Sequence, residues 1–203
     1  RDLQRSRGLG DVYKRQGICG SDIHYYEHGK IGQWHVNAPM VLGHEGSGTV
    51  IAIGENEKIL KEGDRVCIEP QVVSKKSKEY KLGIYNYDQK VKFWATPPIH
   101  GCLTPEVVFP SDMVFKIPDN LSYAEGAMVE PLAVGMQGVT KAKIKPGQIG
   151  LVMGCGPIGL VTALAALAGG CAKVYIADIL SEKLKMCDYY PDLIPIDISL
   201  SLI

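Results

Sequence analysis

The chain has 203 residues, 46% of them hydrophobic and 22% charged. That is enough apolar material for one sizeable core or two small ones, and it excludes global disorder. Lysines plus arginines and aspartates plus glutamates both number 22, so no net field favours nucleic acid or an anionic membrane surface, and neither is an expected partner.

Residues 1 to 16 differ in texture from the rest of the chain. The run Arg5-Ser6-Arg7-Gly8-Leu9-Gly10-Asp11-Val12-Tyr13-Lys14-Arg15-Gln16 resembles translated sequencing-adapter DNA, as does the tail Ile198-Ser199-Leu200-Ser201-Leu202-Ile203. Both ends, 1–16 and 198–203, are therefore set aside as non-native, a native N-terminal arm being the alternative for the first.

From Gly17 to about Pro118, short runs rich in Val, Ile and Gly, such as Gly48 to Ile53 and Arg65 to Glu69, alternate with turn signals, and the pattern predicts an irregular β-rich domain over 17–121. Lys75, Lys76, Lys78 and Lys81 sit among Ser, Tyr and Gly and read as a solvated loop. Leu82 to Phe93, with Gly83, Asn86 and Asp88 among aromatics, reads as an excursion from the core. After Pro118-Asp119-Asn120, the spacing Ser122-Tyr123-Ala124-Glu125 predicts a capping box, and Ala124 to Val139 a helix broken by Pro131, within a connecting segment over 122–147.

From Gln148 the pattern is a strand (Ile149 to Met153), a Gly-rich turn, a helix (Pro157 to Ala168), a stop at Gly169-Gly170 and a second strand (Lys173 to Ala177). A helix over Glu182 to Tyr190 and an apolar run, Leu193 to Ile196, come next. This is the opening of a doubly wound parallel sheet over 148–197, an α/β unit that needs further strands to be complete. The longest apolar stretch, Leu160 to Ala168, is interrupted by Thr162 and too short to span a bilayer. Six cysteines, at 19, 67, 102, 155, 171 and 187, lack CxxC spacing, and no secretory signal is present, so reduced thiols and a cytoplasmic setting are the default.

Three places bear on a metal: Cys19, the pair His44-Glu45, and Glu130. One thiolate, one imidazole and carboxylates make a tetrahedral zinc set, and three protein ligands with one open position are what a catalytic zinc needs. No HExxH or CxxC signature is present, and a lone cysteine is more often a small buried hydrophobe. Farther on, Gly154-Cys155-Gly156-Pro157-Ile158-Gly159 follows a predicted strand and opens a predicted helix, the context in which GxGxxG cradles a pyrophosphate. Asp178, about 20 residues beyond, can accept hydrogen bonds from ribose hydroxyls and would repel a 2′-phosphate, which points to NAD.

The blocks Gly17-Ile18-Cys19-Gly20-Ser21-Asp22, Gly43-His44-Glu45, Glu62-Gly63-Asp64-Arg65-Val66 and Gly126-Ala127-Met128-Val129-Glu130-Pro131 resemble the zinc-dependent medium-chain dehydrogenases, in the sorbitol and xylitol dehydrogenase branch. So do His24-Tyr25-Tyr26, Lys30-Ile31-Gly32 and Phe93-Trp94-Ala95-Thr96-Pro97-Pro98. The resemblance covers about residues 17 to 197. It implies a GroES-like β-rich catalytic domain followed by an incomplete Rossmann domain, with Cys19, His44 and Glu45 as zinc ligands. Glu130 would bind zinc directly or hold the water beside it. Asp22 would accept from the free ring nitrogen of His44, Ser21 and His24 would carry the departing proton, and Tyr25 would line the polyol site. Gly154, Gly156, Pro157, Ile158, Gly159 and Asp178 would hold NAD. The implied reaction is oxidation of a polyol to a ketose, xylitol to D-xylulose in the first instance, by a homo-oligomer. Sorbitol, L-iditol, threonine or a simple alcohol are alternative substrates, and a non-catalytic NAD-binding or scaffold relative is the alternative of another class. Relatives with a second, structural zinc hold it by four closely spaced cysteines, whereas Gln71 to Gly83 contains none, so one catalytic zinc and no structural zinc are expected.

Overall fold

A computed structural model describes residues 9–199, with side chains from residue 15 onward. The expectations for residues 1–8 and for 200–203 fall outside it. The chain divides into two units, Arg1–Glu130 and Pro131–Ile203.

In the first unit the elements are β1 (Leu9–Gln16), α1 (Gly20–His28), β2 (Lys30–Ile31), β3 (Trp34–His35), β4 (Gly46–Ala52), β5 (Arg65–Ile68), β6 (Gln71–Val72), α2 (Lys78–Lys81), β7 (Lys92–Phe93), β8 (Glu106–Phe109), β9 (Val114–Lys116) and α3 (Tyr123–Ala127). α4 (Val129–Ala142) runs across the boundary. Five strands form one antiparallel sheet in the order β8-β1-β4-β5-β9. Its core gathers Val50, Val66, Ile68, Cys102, Phe109 and Val114, all buried, with Trp94 tilted against Phe109 at 4.3 Å between ring centroids.

Residues 9–16, set aside above as part of a non-native leader, are ordered within the sheet. They form β1, paired with both β4 and β8 inside the sheet. Backbone hydrogen bonding explains how residues without a native-looking pattern can fill a strand: the ladder is made by main-chain groups, whatever side chains they carry.

Two connections hold the segments that carry functional side chains. The segment before His44 lies against residues 101–103: Gly101 N–H donates to Val41 O at 2.7 Å, Cys102 N–H to Gly43 O at 2.8 Å and Leu103 N–H to Leu42 O at 2.9 Å. A Cβ at Gly101 would stand 2.2 Å from Gly43 O and 2.5 Å from Leu42 O, so only glycine allows this approach. At the other end, Ser122 caps α3: its Oγ accepts from Glu125 N–H at 3.2 Å while Glu125 Oε2 accepts from Ser122 N–H at 2.7 Å, the expected capping box. α3 is tied to the sheet through Tyr123, whose hydroxyl pairs with Thr49 Oγ1 at 2.6 Å and whose ring lies 4.6 Å beneath the Arg65 guanidinium.

The expected helix break at Pro131 is not there. The chain breaks one turn earlier, at Met128, and Pro131 is the third residue of α4, in the first turn where its missing N–H leaves no intrahelical bond unmade. The excursion between β6 and β7 is held by hydrogen bonds and an ion pair. Leu82 is 61% exposed, whereas Ser77 caps α2 by accepting from Tyr80 N–H at 3.1 Å, and Tyr85 donates to Glu69 at 3.2 Å. Lys75 pairs with Asp112 at 2.7 Å.

In the second unit, β10 (Ile149–Met153), α5 (Pro157–Ala168), β11 (Lys173–Asp178), α6 (Ser181–Leu184) and β12 (Leu193–Asp197) form an open parallel sheet in the order β10-β11-β12. The predicted second helix shortens to α6 followed by a 3-10 turn over Lys185–Tyr189. The core is built from Val174, Ile176, Ala163, Ala166, Leu184 and Leu193. α4 approaches α5 at Gly135, where a Cβ would stand 2.9 Å from Thr162 N. Ile149, Leu151 and Met153 of β10 are 62–67% exposed. Among the described residues no helix is long and apolar enough to cross a membrane.

Gly101→Ala is expected to cost about 3 kcal/mol, because the added methyl meets backbone oxygens that cannot turn aside. A urea unfolding curve checks this; an unchanged midpoint would contradict the close approach.

Candidate functional site

α1 begins at the site. Cys19 is its N-cap residue, and Asp22 in the first turn accepts from Cys19 N–H through Oδ2 at 3.0 Å. The other oxygen, Oδ1, accepts from Gly43 N–H at 2.8 Å. One carboxylate, 2% exposed, thus ties the start of α1 to the residue preceding His44. The ligand atoms of Cys19, His44 and Glu45 consequently lie within 4.8 Å of one another, and this is the one group of three or more His, Cys, Asp or Glu side chains so placed among the described residues.

Glu45 reaches the group through Gly17. Gly17 N–H donates to Glu45 O at 2.9 Å, and a Cβ at position 17 would fall 1.9 Å from Glu45 Oε2. The end of β1 therefore delivers a residue without a side chain to the spot where the carboxylate lies. Sequence reading missed this role of Gly17, and it missed Phe93, whose ring packs 5.5 Å from that of His44 at a 58° tilt. Neither spacing nor composition singles out these two, because both act through proximity across the fold.

The expected hydrogen bond from His44 to Asp22 is not made. Nδ1 stands 3.8 Å from Asp22 Oδ1, beyond hydrogen-bonding length, and is a buried nitrogen with no partner. Asp22 spends its oxygens on the two backbone amides instead.

The electrostatics are those of a site short of positive charge. Hydrogen bonding to His44 is the main cause that lowers the Cys19 thiol, opposed by burial and helped by hydrogen bonds from Ser21. Burial pushes the His44 imidazole down, but hydrogen bonding to Cys19 and the charges of Asp22 and Glu130 outweigh it and leave it raised. Burial raises the Glu45 carboxyl, with His44 opposing and Asp22 adding to the rise. Glu130, at the start of α4, is raised by burial, against the pull of His44 and with repulsion from Glu45 and Asp22. Three carboxylates and a thiol around one imidazole are costly to bury without a cation. The set of one soft thiolate, one imidazole and one carboxylate suits zinc, and the His44 ring, with a buried nitrogen that no protein group satisfies, is not committed elsewhere, so these residues fit the ion.

Of the other expected residues, Ser21 hydrogen-bonds to Cys19, and His24 is exposed one turn farther along α1. Tyr25, assigned to the polyol, is 6% exposed, and burial holds its hydroxyl above the usual phenol range. Glu130 lies outside the compact group of three while sharing its charges. Cys67 and Cys102 are both buried and pushed up, Cys102 to about 12 by burial and by the charges of Asp22 and Glu45, so neither offers a thiolate.

In the second unit Gly154 turns with φ +98°, Gly156 is the N-cap of α5, and Pro157 opens the helix. A Cβ on Gly159 would stand 1.8 Å from Gly154 O, so α5 rests directly on the turn. A Cβ on Gly156 would meet nothing within 4 Å, leaving its backbone free to be approached. Ile158 sits beside these glycines, 41% exposed. Asp178 ends β11, its Oδ2 accepting from Cys155 N–H at 2.8 Å and its Oδ1 from Leu180 N–H at 2.9 Å. These two bonds, Cys155 first, hold its carboxyl below the ordinary range. Each oxygen retains a lone pair for a further donor.

Comparison with known proteins agrees with this architecture. The family model of the alcohol dehydrogenase GroES-like domain matches residues 13–119, beginning within β1. The D-xylulose reductase of Morganella morganii is 59% identical over 197 residues, covering 95% of this chain and 58% of the relative. The D-xylulose reductase of Saccharomyces cerevisiae is 51% identical over 172 residues, 85% of this chain and 48% of the relative. Among solved structures, 2R,3R-butanediol dehydrogenase from Bacillus subtilis superposes with a TM-score of 0.84 at 33% identity, covering 98% of this chain and 58% of that one. The chain spans about half the length of the curated relatives it matches. A family match over more than half of the residues, joined to these identities, shows that the chain belongs to the zinc-type medium-chain alcohol and polyol dehydrogenases, with their GroES-like domain.

Proposed function

We propose that the chain serves the zinc-dependent, NAD-linked oxidation of a polyol to a ketose, with xylitol and D-xylulose as the substrate pair, in a reducing cytoplasmic setting. The observation that carries this reading is the compact group Cys19, His44 and Glu45, with the buried, partnerless Nδ1 of His44 among them. The names of the relatives from Morganella morganii and Saccharomyces cerevisiae supply the substrate pair, and six free thiols support the setting.

Cys19, His44 and Glu45 would hold the zinc ion, and the turn Gly154 to Gly159 with Asp178 would hold the dinucleotide. Bound there, the ion would supply Lewis-acid polarisation of the substrate hydroxyl and the dinucleotide a hydride acceptor. The chain's own residues bind, orient and move the proton. Ser21, whose hydroxyl is within reach of the Cys19 sulfur, accepts the proton that leaves the substrate and gives up its own. His24, three residues on and therefore on the same helix face, passes it to water. Glu130 lies outside the compact group, which supports its holding the water beside the ion ahead of its binding the ion directly. Tyr25 is buried on the same helix, which supports packing behind the site ahead of direct contact with the polyol. Asp178 accepts from the ribose hydroxyls with the lone pairs its backbone bonds leave free.

The test combines metal analysis of the chain itself with turnover in a chimera that adds the remaining residues of the Morganella morganii relative. One tightly held zinc per chain and NAD reduction with xylitol ahead of simple alcohols are expected; zinc-independent turnover would overturn the reading. Cys19→Ala and His44→Ala should each lower zinc affinity by more than about 100-fold, as read by competition with a chromogenic chelator, since loss of a second-sphere group alone costs roughly 10–100-fold.

Gly17→Ala tests Glu45 as a ligand. The new methyl displaces the carboxylate, so zinc affinity should fall roughly tenfold or more while the Cys19 and His44 contacts persist. Unchanged affinity would show that Glu45 does not bind the ion. Asp178→Ala in the chimera should weaken NAD roughly tenfold or more and narrow the preference over NADP, because it removes both the hydroxyl acceptor and the charge. Equal use of NAD and NADP by the parent would contradict the role of Asp178.

A further inference from the structure

Outside the Cys19 group, α1 carries two more histidines, His24 and His28, four residues apart. In an α-helix that spacing brings two side chains to the same face, one turn above the other. Both are exposed, and their rings already meet edge to face, with centroids 5.5 Å apart and planes at 84°. The side chain of Glu27, the neighbour of His28, places Oε2 4.0 Å from His28 Nδ1. His28 is also the last residue of α1, where the helix ends with its carbonyl oxygens outward and its dipole negative. Two imidazoles, a carboxylate and the negative end of a helix thus share one small patch of surface.

We propose that His24 and His28 form a second, exchangeable binding site for a divalent late transition-metal ion. Imidazole nitrogen suits nickel, copper and zinc, and two such nitrogens on one ion stand about 3 Å apart when each bond is near 2.1 Å. Rings at 5.5 Å reach that separation by turning about their own side-chain torsions, with α1 unchanged. Water fills the remaining positions, because the patch is open to solvent. With two protein ligands where the Cys19 group has three, this site binds more weakly, and the ion comes and goes while the first stays. Copper and nickel are preferred over zinc at a pair of imidazoles, following the general order of divalent affinities.

Chelation across one helical turn also has a local consequence. An ion held by residues i and i+4 fixes the last turn of the helix whose first residue caps at Cys19. The inference does not rest on His24 serving as a proton carrier, and it is tested without turnover.

The experiment uses the untagged 203-residue chain loaded with one equivalent of zinc and titrated with nickel by calorimetry, while proton spectra follow the histidine ring signals. A second equivalent is expected to bind, and the ring signals of His24 and His28 should broaden together under the paramagnetic ion, first and more strongly than those of His35 and His100. His28→Ala removes one ligand at an exposed helix end, so it should keep the zinc and the fold and weaken nickel binding at the second site at least tenfold. His35→Ala should leave nickel binding unchanged. Absence of a second equivalent, its persistence in His28→Ala, or broadening centred on His35 or His100 would overturn the site. Loss of zinc without loss of the second equivalent would strike the Cys19 group alone, so the two readings fail separately.

Discussion

The arrangement depends on one carboxylate. Asp22 accepts from the backbone N–H of Cys19 and from that of Gly43, and these two amides belong to segments 24 residues apart in sequence, the start of α1 and the loop into β4. Hydrogen bonds to a charged acceptor contribute about 1.5–3 kcal/mol each, and both are made where Asp22 is almost fully shielded from water. Without them, Cys19 would be fixed only by the first turn of its own helix, and His44 only by the strap of residues 101–103. Glycines complete the fit on both sides: Gly17 yields room to the Glu45 carboxylate, and Gly101 lets the strap press against the loop.

Holding the backbone in this way has an electrostatic consequence. Asp22, Glu45 and Glu130 crowd a single imidazole, and burial raises both glutamates. A closed apolar core would not tolerate this excess of acceptors over donors, nor the partnerless nitrogen of His44. The fold therefore concentrates acceptors in one place that a divalent cation can satisfy, and the proposed zinc site rests on that imbalance as much as on the identity of any single ligand.

Much of this was legible in the sequence and some was not, for physical reasons. The strands, the capping box at Ser122 and the Gly-rich turn before α5 were readable because they follow from local rules of periodicity, capping and positive φ. Cys19, His44 and Glu45 were readable as metal-binding types, and the resemblance grouped them. Pro131 misled because a proline signals a break only inside a helix, and here it lies in the first turn. The strand over residues 9–16 was not legible because its ladder is made by main-chain groups, which composition does not report. Gly17 and Phe93 lie in blocks that carry the resemblance, but nothing local marks their roles. Their place near the site arises from contacts between distant segments, and single-sequence patterns carry no record of these.

The same design appears in the second unit. There Asp178, chosen by its position for the ribose hydroxyls, directs its oxygens to the amides of Cys155 and Leu180, one in the Gly-rich turn and one in the segment leading to α6. Asp22 and Asp178 thus share a habit. Each uses both carboxylate oxygens to hold the backbone of a loop that, in the proposed function, would meet a ligand. Pre-forming the loop removes part of the ordering cost that binding would otherwise carry. It also explains why an aspartate in such a position is poorly replaced by a neutral acceptor of similar shape. An amide oxygen can accept from one of the two backbone groups, but its nitrogen end meets the other donor head-on, and the loop loses the second of its two anchors.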